Sequence, residues 1–396
     1  MHNYILVLNC GSSSIKFAIV EPVLSKICFN GIVEQINTTD TLFIWYENGS
    51  KEQKSIPQAD YETSIKLVLD ILHQKGFTHG LIGIGHRVVH GGEKLIESVL
   101  ITEDVLAEIA QCSRLAPLHN PAHVKGIQAA QRIFADLPHI AVFDTAFHQT
   151  MPEHAYLYPL PQQYYEQYAI RRYGFHGISY RYIVSQAITQ LNLPRDNHAL
   201  LIAHLGNGCS ATAVLNGKSI DTSMGLTPLE GLMMGSRTGD IDPALHAYLA
   251  AESQMDLNEI TALFNQQSGL LGVSGLSMDM RTLHEAAEKG HKKAQLAITM
   301  FCYRLAKYLG ALSTVLPTLD ALIFTGGIGE NAFMVRERVI KQLSILNFFL
   351  DQEHNKTHGK NNGGIITTEN SRCAMVIPTN EEVMIANDVK QIVSQL

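Results

Sequence analysis

The sequence predicts an α/β protein built from two related lobes around a cleft. An apolar strand over residues 4–8, a small-residue turn at Asn9, Cys10, Gly11, Ser12, Ser13 and Ser14, and a second strand over 15–20 open the chain. The same pattern returns far downstream. A strand over 200–204 leads to a turn at Leu205, Gly206, Asn207, Gly208, Cys209 and Ser210, and a strand over 211–215 follows. Such an internal echo suggests an ancient duplication. Strands mixed with helical periodicity along the rest of the chain complete the α/β reading. With 396 residues there is room for about two to three domains.

Taken in order, a β-like run spans 42–46, and helical spacing over 61–74 stops at Gly76, a residue that suits a helix C-terminus. Residues 81–89 read as a strand. Pro121 directly after Asn120 marks a helix start, and the amphipathic pattern runs on to about residue 134. A short strand over 140–143 ends at Asp144. Asn216 and Gly217 close the second hairpin, a common turn pair. Helical periodicity then covers 243–251, 257–264, 278–288 and 292–315. A strand over 319–324 enters a glycine loop, Thr325, Gly326, Gly327, Ile328 and Gly329, and a helix over 331–343 follows. Residues 351–372, rich in Asn, Lys and Gly, read as a surface excursion. A strand over 374–377 and a helix starting within 378–382 finish the chain.

Composition excludes several classes. At 46% hydrophobic and 17% charged residues, the chain can fill a core, so global disorder is not expected. The net charge is −7, from 30 basic and 37 acidic residues. No basic run or aromatic-interleaved basic patch occurs, which argues against nucleic acid as a partner. An anionic substrate must then be held by local cations and backbone N–H groups. Cys10, Cys28, Cys112, Cys209, Cys302 and Cys373 are scattered without a C-x-x-C pair, so they read as buried free thiols and not as a zinc site or disulfide framework. There is no signal-like start and no apolar run of the ~18 residues a membrane span needs. A cytoplasmic, soluble protein is the expectation.

Several segments carry chemistry. The small residues and serines of 9–14, followed by Lys16, suit a phosphate-facing turn. They do not form the strand-to-helix G-x-x-x-x-G-K-[ST] loop, and a plain polar hairpin fits as well. Arg87 lies in His86-Arg87-Val88-Val89-His90-Gly91-Gly92, where it can grip a carboxylate or phosphate with two donors. His86 and His90 by themselves read as hydrogen-bonded structural groups. Asp144 follows an apolar strand, which places it at a sheet edge or in a turn cap. Tyr173-Gly174-Phe175-His176-Gly177, His204 to Gly208, Met234-Gly235-Ser236-Arg237-Thr238-Gly239-Asp240-Ile241-Asp242-Pro243, Ser277-Met278-Asp279-Met280-Arg281, Thr325 to Asn331 and Asn380-Glu381-Glu382 complete the set. Each is weak alone. Two arginines, two histidines, glycine turns and carboxylates together suit phosphoryl transfer, in which positioning and charge stabilisation dominate.

In this order the segments resemble the acetokinase family, a branch of the actin, Hsp70 and sugar-kinase superfamily, over about residues 5–386. The resemblance implies two actin-like, ribonuclease H-like lobes with a duplicated core flanking a nucleotide cleft. One lobe is residues 1–149 plus 382–396, the other 150–381, and a homodimer is usual. It implies reversible, ATP- and Mg²⁺-dependent phosphorylation of acetate to acetyl phosphate, with Mn²⁺ able to replace Mg²⁺. Asn9 and Glu381 match the metal-associated positions. Ser12, Ser14 and Lys16 match the phosphate-facing loop. Arg87 matches the carboxylate- and phosphate-binding arginine, and His176 and Arg237 the transition-state stabilisers. His204, Leu205, Gly206, Asn207, Gly208, Asp279, Met280, Arg281, Gly327, Ile328, Gly329, Glu330 and Asn331 match nucleotide-binding segments. Val89, Leu118, Phe175 and Pro228 match an apolar pocket for the acetate methyl. Asp144 matches an essential acid. Because acetate is already ionised near neutral pH, its expected part is to organise Mg²⁺, water or Arg87 and not to take a proton. Ile178 and Tyr180 stand where the family often has Thr and His, which removes a hydroxyl and an imidazole beside His176.

Three rivals are distinguishable. A propionate kinase of the same family would leave more room than Val89 does. A nucleotide-dependent binding protein of the actin or Hsp70 type would lack the two arginines. A metal hydrolase would need histidine spacing of the H-E-x-x-H kind, which is absent.

Overall fold

The computed structural model describes residues 3–47 and 50–396. Strands β1 (Tyr4–Cys10), β2 (Ser14–Glu21), β3 (Lys26–Glu34), β4 (Leu42–Glu47), β5 (Ser50–Ser55), β6 (Leu81–Val88), β7 (Val99–Leu100) and β8 (His139–Phe143) form one sheet, in the order β5-β4-β3-β2-β1-β6-β8-β7. Strands β9 (Ala199–Leu205), β10 (Cys209–Leu215), β11 (Lys218–Thr222), β12 (Ala321–Thr325) and β13 (Cys373–Val376) form a second, in the order β11-β10-β9-β12-β13. In the first sheet β1 and β3 flank β2 antiparallel, while β1, β6 and β8 run parallel. In the second, β9 and β11 flank β10 antiparallel, while β9, β12 and β13 run parallel. The core β3-β2-β1-β6-β8 is thus repeated as β11-β10-β9-β12-β13. The duplication expected from the two hairpins is a duplication of the whole five-stranded core.

The reason for this arrangement is visible in the strands. Every residue of β8, β9 and β12 is buried. Such continuously buried, mostly apolar runs suit interior strands covered on both faces. The chain divides into two compact units. The first comprises Met1–Gln149, Gly177–Ser179 and Asn380–Leu396, and the second Thr150–His176 and Tyr180–Thr379. In the first unit, Leu6, Leu8, Ile15, Ile19 and Ile84 share a core with Ile65, Val68, Ala129 and Ala130 of the helices Tyr61–Gln74 and Asn120–Ile133. In the second, the helix Lys292–Ser313 buries Ala294, Ala297, Ile298, Phe301, Cys302, Leu305, Ala306, Leu309 and Leu312. That spacing is the apolar stripe of a helix covering a sheet.

Some expectations change. Residues Thr325 to Gly329 do not form an open glycine loop: Gly326–Asn331 is helical, entered through Gly326 at φ +74°. The excursion at 351–372 holds a short helix, Gln352–Lys356, whose Asn355 is fully buried. The helix Gly177–Gln190 and strands β3, β5 and β11 were not legible from periodicity. Strand β5, Ser-Lys-Glu-Gln-Lys-Ser, is exposed throughout and exists only by pairing with β4.

The buried histidines of the first unit make it acid-sensitive. His86 Nε2 lies 2.9 Å from His139 Nδ1, and His90 Nδ1 accepts from the Gly92 N–H at 3.0 Å. Burial pushes the pKa of His90 down to about 3, and burial, then His119 and Arg87, does the same for His123. Both are neutral in the folded protein at pH 7. The unfolded chain takes up their protons below about 6.5. Stability is therefore fully present above that pH and is lost as pH falls towards 3. The expected slope is about 1.4 kcal/mol per pH unit for each histidine. Urea midpoints should fall between pH 7 and pH 5, and His123→Asn should flatten the fall; midpoints independent of pH would contradict this.

Candidate functional site

Functional side chains gather into one cluster in each unit. In the first, the period of β6 decides which side chains meet. Ile84 points into the core, so Gly83, Gly85 and Arg87 share the opposite face. The C-terminal helix Glu381–Val393 lies on that face. A Cβ on Gly85 would stand 2.4 Å from Ile385 Cγ2 and 2.9 Å from Val389 Cγ2, so only glycine admits the helix this closely. Arg87 is the next residue in the row and meets the helix where it begins. Its Nη1 lies 3.0 Å from Glu381 Oε2. Its Nη2 donates to Asp144 Oδ2 at 2.8 Å, and Nε reaches both Asp144 oxygens at 3.3 Å.

Asp144 is 3% exposed at its side chain and Arg87 20%. Burial alone would weaken the arginine's charge, but the Asp144 and Glu381 carboxylates override it and raise its pKa. The guanidinium is thus a fixed, permanently charged fork between two carboxylates. Asn9 of β1 and Lys16 of β2 are cross-strand partners, and they line one groove with Arg87, Glu381 and Glu382. Ser12 and Lys16 are exposed, and Ser14 is half-buried, its carbonyl accepting the Gly11 N–H at 2.7 Å. Val89 is half-buried and Leu118 is 61% exposed.

The second unit holds the other cluster. His176 precedes the helix Gly177–Gln190 in the left-handed region, at φ +61°. A non-glycine residue there stores strain, and such residues gather at functional positions. Its ring stacks on His204 of β9, with centroids 4.2 Å apart and planes at 20°. Its Nδ1 lies 2.8 Å from Ser210 Oγ. A Cβ added to Gly208 would stand 3.4 Å from His176 Nε2 and 3.5 Å from Arg237 Nη1, so imidazole and guanidinium reach the same point above the β9–β10 turn. Arg237 donates to the Pro228 carbonyl at 3.2 Å, and among the described residues no carboxylate pairs with it. Burial holds its pKa below the usual arginine value. A half-buried cation with no carboxylate partner among the described residues is suited to holding an anion.

The Arg237 loop is braced from behind. The Leu270 N–H donates to the Met234 carbonyl and the Gly235 N–H to the Asn207 carbonyl. Gly269, at φ +60°, leaves only 2.2 Å between a Cβ and the Met234 oxygen, so no larger residue fits. Phe175 is buried and Pro228 half-buried.

A pocket of about 390 Å³ opens beside this turn. Gly206, Asn207, Met278, Asp279, Met280, Arg281, Gly327, Ile328 and Asn331 line it, together with His284, Ile298 and Phe333, which pattern reading did not single out. Asp279 also caps its helix through the Thr282 N–H, which lowers its pKa. His204, Leu205, Gly208, Gly329 and Glu330 do not line the pocket. Leu205 is fully buried, and the Glu330 carboxylate accepts from the Gly326 and Thr379 N–H groups at 3.0 and 3.1 Å. Glu330 shapes the pocket wall from behind. The backing residue Arg336 is likewise invisible to motif reading: fully buried, it spends its donors on the Gly329 and Glu330 carbonyls, on Asn355 and on His358.

Residues 4–387 match the model of the acetokinase family. The chain is 50% identical over 390 residues to acetate kinase 1 of Neisseria meningitidis serogroup A, covering 98% of each chain. It is 51% identical over 384 residues to the acetate kinase of Stutzerimonas stutzeri, covering 97% of each. Its fold resembles the crystal structure of a propionate kinase from Francisella tularensis, with a TM-score of 0.94, 45% identity and coverage of 98% and 99%. It resembles that of Porphyromonas gingivalis acetate kinase with a TM-score of 0.93, 39% identity and coverage of 99% and 100%.

Proposed function

This chain belongs to the acetokinase family and is a kinase, and on that footing we propose that it moves a phosphoryl group reversibly between ATP and acetate with Mg²⁺. The observation that carries the reading is the meeting of His176 Nε2 and the Arg237 guanidinium, which has no carboxylate partner among the described residues, at Gly208, beside a pocket walled by the glycine segments. An acetate oxygen forms a bond to the γ-phosphorus while the bond to the ADP oxygen breaks, giving acetyl phosphate and ADP. His176 and Arg237 hold the equatorial oxygens as charge spreads over them. Arg87 binds the carboxylate or the phosphoryl group, and Asp144 keeps its fork oriented. No proton needs to leave acetate, so Asp144 acts as an orienting group and not as a base. The 390 Å³ pocket takes the nucleotide, and the part of Ser12, Ser14 and Lys16 as phosphate-facing residues rests on the family resemblance alone.

Asn9 and Glu381 offer hard oxygen donors in one groove, with Glu382 alongside. That donor set fits Mg²⁺, which binds through one or two carboxylates and keeps several waters. When bound, the ion neutralises charge developing on the β- and γ-phosphates. Free thiols at all six cysteines suit a reducing cytoplasm. No helix among the described residues is long and apolar enough to cross a membrane. A homodimer rests on the family alone.

A second reading, propionate as acceptor, is favoured by the similarity to the propionate kinase of F. tularensis. Val89 favours acetate in this reading, since a smaller residue there would leave room for one more methylene, and one methylene discriminates by about 10–200-fold. Comparing kcat/KM for acetate, propionate and butyrate tests the choice. Val89→Ala should move the ratio about tenfold towards propionate. A wild-type preference for propionate would replace acetate in the proposal, and ATP turnover indifferent to any carboxylate would end it.

A further inference from the structure

Tyr180 lies one helical turn beyond His176, fully buried, with its hydroxyl 2.5 Å from Ser210 Oγ. Ser210 Oγ also lies 2.8 Å from His176 Nδ1, so a single buried hydroxyl links the phenol to the imidazole. The three groups are held by different elements. Tyr180 sits on the helix Gly177–Gln190, and Ser210 is on β10 directly opposite His204 of β9, whose ring stacks on His176. Ring plane and hydrogen-bond partner are therefore fixed together.

Either oxygen of the Tyr180–Ser210 pair can be the donor, and the sense proposed here has the phenol donating. Burial raises the Tyr180 pKa above its ordinary value, so the phenol keeps its proton throughout the working pH range. With the Tyr180 O–H donating to Ser210 Oγ, the Ser210 hydroxyl has its own proton to give, and His176 Nδ1 receives it. The imidazole proton is then on Nε2. Nε2 is the nitrogen that reaches the point above Gly208 shared with Arg237. In the opposite sense Nδ1–H would donate to Ser210, and Nε2 would present a lone pair where a phosphoryl oxygen is to be held.

We propose that Tyr180 is a positioning residue for His176: relayed through Ser210, its hydroxyl selects the imidazole tautomer that carries its proton on Nε2. This deepens the proposed function and rests on His176 contacting the transferring phosphoryl group. The departure at Tyr180 then does not empty the surroundings of His176. It supplies a donor from a phenol.

The test combines kinetics with nitrogen NMR of isotope-labelled histidine, on wild type, Tyr180→Phe, His176→Ala and the double variant. Tyr180→Phe should lower kcat about five- to tenfold, the weight of one neutral hydrogen bond, with KM for ATP and for acetate changed by less than about twofold. The His176 signal should show Nε2–H in wild type and a mixture with Nδ1–H in Tyr180→Phe. In the His176→Ala background, Tyr180→Phe should cost nothing further. An unchanged tautomer, an unchanged kcat, or an equal loss without His176 would each overturn the proposal. If His176→Ala itself keeps normal activity, the role given to His176 fails, while the tautomer spectra still report on Tyr180. Should Tyr180→Phe not fold, Ser210→Ala cuts the same relay at its centre. It must produce the same tautomer mixture, and wild-type spectra from it would overturn the proposal.

Discussion

Arg87→Ala is expected to lower kcat/KM for acetate by about 10²–10³-fold, the usual cost of one donor that holds transition-state charge. The same substitution should also destabilise the protein. Arg87 is shared by Asp144 and Glu381, and the Asp144 carboxylate is 3% exposed. Removing the guanidinium takes away the fork that holds that buried carboxylate, and breaking such a buried pair costs up to about 3–5 kcal/mol. Lysine does not repair the loss, because one ammonium cannot replace a planar fork engaged on both sides. Adding Asp144→Asn to Arg87→Ala removes the buried negative charge. Thermal stability should then recover towards wild type while activity stays low. Near-normal acetate-dependent ADP release from a folded Arg87→Ala protein would contradict the role given to Arg87.

Arg237→Ala should cost a similar 10²–10³-fold in kcat, but with little change in thermal stability. The contrast comes from the partners. Arg237 has no carboxylate to abandon among the described residues, only the Pro228 carbonyl and a distant contact with Met234 sulfur. Its charge is already penalised by burial. Losing it relieves desolvation in the free protein at the cost of the hydrogen bond to the Pro228 carbonyl. A large fall in melting temperature, or a loss confined to the KM for ATP, would show that Arg237 is structural or a nucleotide ligand.

What the sequence showed of this fold depended on how local each signal was. The helix Tyr61–Gln74 was readable to its last residue because its apolar spacing is regular and Asp60 caps it through the Thr63 N–H. Strands β1, β2, β9 and β10 were readable because each hairpin is contiguous in sequence. Strand β5 was not, since its exposed residues carry no pattern and only β4 makes it a strand. The helical start at Gly326 was hidden because three glycines in four residues read as a loop. At the candidate site, glycine turns and arginines stood out as motifs. Roles set by distant partners did not: the Glu330 carboxylate serves two backbone N–H groups, one of them 49 positions away. Likewise, nothing near Tyr180 in the sequence announces that Ser210, 30 positions on, shares its proton chain.

Phosphoryl transfer to a carboxylate is tested most directly by trapping the acyl phosphate with hydroxylamine in the presence of ATP and Mg²⁺. Acetyl hydroxamate should accumulate with wild-type protein only when acetate, ATP and Mg²⁺ are all supplied, and should all but vanish with folded Arg237→Ala. ADP released at the same rate with and without acetate, and no hydroxamate formed, would contradict it.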